Sequence, residues 1–112
     1  MAKFEALEVA LEMVRELAKL LPAIERHDKS LARQLREAGS SAPACLAEGA
    51  RRVGRDRLHL YRVAGGSGAE VVIHLRTAAA WGYVTEAQAT AAMQLGDRVA
   101  AMAWRLTTRR WR

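Results

Sequence analysis

Cys45 is the chain's only cysteine, which rules out an internal disulfide. No His or Cys stands near it at ligand spacing, so an ordinary zinc site is excluded as well. The simplest role left is a small buried side chain. Aromatic residues make up 5% of the chain against a hydrophobic fraction of 51%, so a core has to be built from Ala, Leu, Val and Met, most of which favour helices. Long apolar runs are missing too. Uncharged stretches such as Thr77 to Thr85 are far shorter than the roughly 18 to 20 residues of a membrane span. Lys3 is followed at once by Glu5, Glu8 and Glu12, which is not a signal-peptide pattern. A cytoplasmic protein with no membrane partner is expected. Strand-like alternation is absent, and so is any catalytic or cofactor motif, which leaves no cofactor and no enzymatic reaction to expect.

Charge is unevenly placed. The formal net charge is +6. Met1 to Ala50 carries seven basic against eight acidic residues, and Arg51 to Arg112 eleven against four. The positive field therefore belongs to the second half. Arginine predominates there, and its planar fork matches phosphate oxygens in pairs, which suits RNA or DNA. An Ala- and Arg-rich composition is equally what GC-rich codon usage produces.

A length of 112 residues suits one domain with one core. Residues 4 to 24 carry two adjacent apolar seams, Phe4-Leu7-Leu11-Val14-Ala18-Leu21 and Ala6-Ala10-Met13-Leu17-Leu20-Ile24. Together they are wider than the arc a monomer's surface helix needs, so this helix is expected to touch two neighbours. Pro22 marks its end or a late kink. Asp28 or Ser30 can cap a second helix, with the seam Leu31, Leu35, Ala38, Ala42 and Cys45. Pro43 sits inside that seam and removes the helical partner of the Gly39 carbonyl, so a kink rather than a stop is expected, with Ser40 and Ser41 supplying local hydrogen bonds. Gly49 reads as the end of this helix.

Leu58, Tyr61, Gly65, Gly68, Val72, Leu75 and Ala79 keep one phase straight through Gly65-Gly66-Ser67-Gly68. A flexible linker would be indifferent to phase, and a phosphate-cradling loop would follow a strand and end in Lys-Ser/Thr. A continuous third helix is the reading the phase favours. Gly82 can take a left-handed cap. Thr85 and Gln88 form a capping box that opens a fourth helix with the seam Ala89, Ala92, Gly96, Val99, Ala103 and Leu106. The expected fold is all-α, an up-down-up-down four-helix bundle over residues 1 to 112, with helices near 4 to 24, 28 to 50, 55 to 80 and 85 to 108.

Two arginine groups are candidates for nucleic-acid contact. Arg51, Arg52, Arg55 and Arg57 crowd the second corner, and Arg98, Arg105, Arg109 and Arg112 share a stripe on the fourth helix. That stripe is equally explained as a solvated face near a helix C-terminus, where cations suit the dipole. Met93, Trp104 and Trp111 lie on one flank beside a complete seam, which points to a subunit contact, and Met13, Leu17 and Leu20 of the first helix are expected to share it. Trp104, Arg105 and Trp111 also allow a membrane-surface helix, a role secondary to the seam on the same helix. Glu70 and His74 are one turn apart, a spacing for two metal ligands, but the further carboxylates and second Glu/His set of a dinuclear bundle site are absent. A hydrogen-bonded pair is expected there, and no metal. Glu48 is expected to pair with an arginine and fix the corner.

Ser41-Ala42-Pro43-Ala44-Cys45-Leu46-Ala47-Glu48-Gly49, then Arg52, then Ala64-x-Gly66-Ser67-x-x-Glu70 and Trp81-Gly82-Tyr83-Val84, with Pro22, Leu31, Gln34, Leu35 and Ala38 upstream, resemble the four-helix-bundle proteins encoded in 23S rRNA intervening sequences. They are also similar to the related accessory proteins of diversity-generating retroelements. Cys45 stands where the family pattern has Asn, and Gly54-Arg55 replaces a Ser cap. The resemblance implies a homopentamer with no known enzymatic activity. In the retroelement branch it also implies binding of nucleic acid and of a reverse transcriptase. Two functions follow as expectations: a non-catalytic homo-oligomeric bundle that binds RNA or DNA, or a structural adaptor whose partner is a protein.

Overall fold

A computed structural model describes residues 3–108, so Arg109, Trp111 and Arg112 lie outside the described residues. Four helices account for nearly all of the described chain: α1 Glu5–His27, α2 Lys29–Ala50, α3 Gly54–Trp81 and α4 Glu86–Thr108. Each packs on its sequence neighbours and α1 closes on α4, the ring of an up-down-up-down bundle. The connections are short: Asp28 alone, then residues 51–53, then 82–85.

Local chemistry sets most of these boundaries. Asp28 caps α2 by accepting from the Leu31 amide at 2.9 Å, which satisfies one of the first-turn donors a helix leaves orphaned. At α4 the reciprocal box forms, with the Thr85 amide donating to Gln88 Oε1 at 2.9 Å and the Gln88 amide to Thr85 Oγ1 at 3.0 Å. Gly82 ends α3 in the left-handed region at φ 82°, a conformation a Cβ makes costly. Pro22 does not end α1, which runs on to His27. The carbonyl freed by the proline belongs to exposed Ala18 and can turn to water. Nor does Pro43 stop α2, which is continuous to Ala50. Ser41 works both across the bundle and within its own helix: its Oγ accepts from Ser67 Oγ of α3 at 3.0 Å and makes the expected local contact with Cys45 Sγ at 3.7 Å. Cys45 is only half-buried. Gly49 stands one residue before the end of α2 at Ala50. It lies buried under Tyr61, where an added Cβ would come 2.8 Å from Cε1, and the corner's left-handed glycine is Gly54, at φ 61°.

The core shows which α1 seam faces inward. Ala6, Ala10, Met13, Leu17, Leu20 and Ile24 are buried, each 7% exposed or less, and Leu17 Cδ1 occupies the space above Gly39 that a Cβ would claim at 2.7 Å. Burial of each large side chain here contributes about 1.5–3 kcal/mol. Met13, Leu17 and Leu20 are thus consumed by the protomer's own core and offer no surface to a second chain, contrary to the expectation from sequence. The other seam, Leu7, Leu11 and Val14, stays partly exposed.

On α3 the buried set includes Tyr61, Gly68 and Leu75 as the phase predicted, joined by Ala64, Ser67, Val71 and Ala78. Helices α3 and α4 meet nearly backbone to backbone. A Cβ on Gly68 would sit 2.9 Å from the Gly96 carbonyl oxygen, and one on Gly96 would sit 3.0 Å from the Gly68 oxygen. Gly66, two residues away, faces open space.

These glycines give substitutions of opposite sign. Gly66→Ala is expected to stabilise by about 0.5–1 kcal/mol through helix propensity alone, whereas Gly68→Ala must push α4 away and is expected to destabilise by about 1–3 kcal/mol. Urea unfolding of the two variants checks this; equal shifts would contradict the close approach.

Candidate nucleic-acid interface

Even-numbered alternation of direction puts the start of α1, the end of α2, the start of α3 and the end of α4 at one end of a body 49 Å long. The corner arginines and Arg105 therefore share an end, and Arg98 stands seven residues nearer the middle, about 10 Å along the helix. Arg51, Arg55, Arg98 and Arg105 are all exposed.

The corner arginines divide by role. Arg57 Nε donates to the Gly49 carbonyl at 3.2 Å and its Nη2 to the Ala50 carbonyl at 3.3 Å. A guanidinium from α3 thus caps two of the last carbonyls and the negative dipole end of α2. Arg52 lies 2.7 Å from Glu48 and 3.9 Å from Asp56, so Glu48 anchors the corner as expected. That pair is half-exposed, and such bridges contribute little stability. Arg51 and Arg55 make no ion pair among the described residues, which leaves them, rather than Arg52 and Arg57, directed at solvent. Arg105 lines a cleft between α1 and α4 with Phe4, Glu5, Met102 and Leu106.

Two further arginines belong to this surface. Arg62 and Arg76 lie on the outer edge of the α3–α4 groove, Arg62 near Trp104 and Arg76 near Met93. Positions 55, 62, 69 and 76 fall every seventh residue, so one outward stripe of α3 carries Arg55, Arg62 and Arg76. That spacing was readable in the sequence but is hidden when arginines are grouped by adjacency. Trp104 is 67% exposed and Met93 partly buried. Acidic residues line the far part of the groove, as Glu86 and Asp97.

Glu70 and His74 approach to 3.8 Å, too long for the hydrogen bond expected of them. No group of three His, Cys, Asp or Glu gathers to hold a metal among the described residues. At the opposite end, Tyr83 joins the two turns. Its ring stacks on His27 at 5.1 Å and beside Trp81 at 6.3 Å, and its hydroxyl donates to Asp28 Oδ2 at 3.5 Å. Desolvation first, then the Asp28 charge and hydrogen bond, hold its phenol above the ordinary 10.0. Glu25 goes the other way, held below 4.5 chiefly by its hydrogen bond from Arg36.

An all-helical bundle with a basic end, and no helix among the described residues long and apolar enough to cross a membrane, is the class these features define. Residues 2–105 match the family model of the 23S rRNA-intervening sequence protein, and the chain belongs to that family. It is similar in fold to a crystal structure from Bacteroides thetaiotaomicron, a protein of unknown function from the S23 ribosomal protein family. The TM-score is 0.83 at 16% identity, covering 93% of this chain and 99% of the other. No curated relative matches.

The Tyr83 shift has a sign. Because the folded state disfavours the phenolate, this contribution to stability is present below pH 10 and lost as pH rises through the higher folded value. The stability difference between wild type and Tyr83→Phe is expected to narrow from pH 8 to 11 in urea unfolding; a constant difference would show the phenol to be unshifted.

Proposed function

We propose that this chain is a non-catalytic, self-associating helical bundle that binds nucleic acid through its basic end and the outer face of α3. The observation that carries the reading is the set of exposed, outward arginines, Arg51, Arg55, Arg62, Arg76 and Arg98, in a half of the chain that holds eleven basic residues against four acidic ones. Guanidinium groups released from internal pairing are the groups that displace counterions from phosphates. Self-association is supported by the partly exposed Leu7, Leu11 and Val14 of α1, an apolar stripe the protomer leaves half-covered. A closed ring, five chains in the form the family resemblance implies, would repeat the basic end around its axis and add weak contacts by avidity. In the retroelement branch a reverse transcriptase would be the further partner.

Affinity for a short RNA or DNA is expected to fall linearly on a log scale with salt, and Arg51→Gln/Arg55→Gln/Arg62→Gln is expected to flatten that slope by up to about 3. Fluorescence anisotropy across 50 to 200 mM salt measures it. Affinity indifferent to salt would remove the reading and leave the adaptor role, in which the arginines serve only solubility and ion pairs.

A further inference from the structure

The outer α3–α4 groove narrows beside Trp104 into a slot of about 170 Å³ whose floor is Gly65, Gly66, Ala100 and Ala103 and whose rim is Arg62. We infer that this slot takes one unstacked base of a single-stranded nucleic acid, the base lying on the Trp104 indole and its phosphates on Arg62 and Arg55. The inference rests on the nucleic-acid reading above and adds which strand form is bound and where.

Three observations select this occupant. The slot is smaller than the roughly 300–1,000 Å³ that houses a drug-sized ligand, so it admits a single planar ring and not a helix or a folded surface. Its floor is flat because α3 presents two glycines there, Gly66 with nothing within 4 Å of where a Cβ would stand. Its charge is of one sign: Arg62 lines it, no acidic residue among the described residues does, and Arg55 lies seven residues along the same stripe, about 10 Å nearer the basic end. An exposed aromatic face flanked by arginines is how single strands are held without sequence preference, each base stacking on the ring while cations track the backbone. In a duplex the base faces are buried in the stack and reach such a ring only after unpairing. A protein side chain as occupant, including one from a second copy of this chain, is the alternative the test separates.

The test is anisotropy titration of the full chain with labelled 20-mers of oligo-U and oligo-dT and with an RNA hairpin, alongside light scattering and circular dichroism. Wild type is expected to bind the single strands more tightly than the hairpin. Trp104→Ala removes the platform and Gly66→Leu fills the slot from the other wall. Each is expected to lower single-strand affinity by about 5- to 100-fold, with the salt slope, the hairpin affinity and the assembly mass unchanged, while Trp104→Phe retains most of the binding. The two oligomers show whether the slot distinguishes ribose from deoxyribose. Salt-dependent binding that survives both Trp104→Ala and Gly66→Leu undiminished would overturn the slot and leave the nucleic-acid reading standing. A loss of binding accompanied by a smaller assembly mass would instead make Trp104 a subunit contact. Absence of salt-dependent binding to every oligomer would overturn the slot and the underlying reading together.

Discussion

The bundle depends on how closely α3 and α4 can approach. At Gly68 and Gly96 each backbone carbonyl occupies the place where the other residue's side chain would begin. Small residues carry the contact on both sides, with Gly65 against Ala103 a turn away. Glycine within a helix costs about 1 kcal/mol relative to alanine, and three in four positions would weaken an isolated helix. Here that cost is offset by dispersion along a dense interface. The same closeness leaves a shallow outer groove, because side chains too small to fill the interface are also too small to project beyond it.

Much of this was legible in the sequence because local rules and long-range packing agree. The Thr85–Gln88 box, the Gly82 cap and the Asp28 cap each need only three or four residues to specify them, and all three form. The unbroken phase through Gly65-Gly66-Ser67-Gly68 was decisive for α3, since packing holds that phase only if the helix is continuous. The family pattern, carried by residues spread from Pro22 to Val84, agrees with the same fold.

What was not legible depends on azimuth. Two apolar seams on α1 show that the helix is apolar over a wide arc, but period alone does not say which seam meets α2 and α4. The inward one proved to be that of Met13, Leu17 and Leu20, because Gly39 makes room for Leu17 there. Gly49, one residue from the end of α2, carries a second role that is hidden for a related reason. Its punctuation value as a helix stop and its packing value beneath Tyr61 look the same in one dimension. Among the arginines, Arg52 and Arg57 were indistinguishable from Arg51 and Arg55 by sequence, although their surroundings differ. Arg62 and Arg76 join the exposed set because α3 turns that seven-residue stripe outward.

The guanidinium of Arg57, clasping the last carbonyls of α2 from the first turn of α3, also bears on Arg51 and Arg55. Arg51 opens the linker at residues 51–53 and Arg55 stands in the first turn of α3, so an unbraced corner would let them move independently. Tied as it is, the backbone beneath them is held, so less conformational entropy remains to be lost when either guanidinium is ordered. Rigidity at a bend of three residues thereby becomes a property of the surface charge.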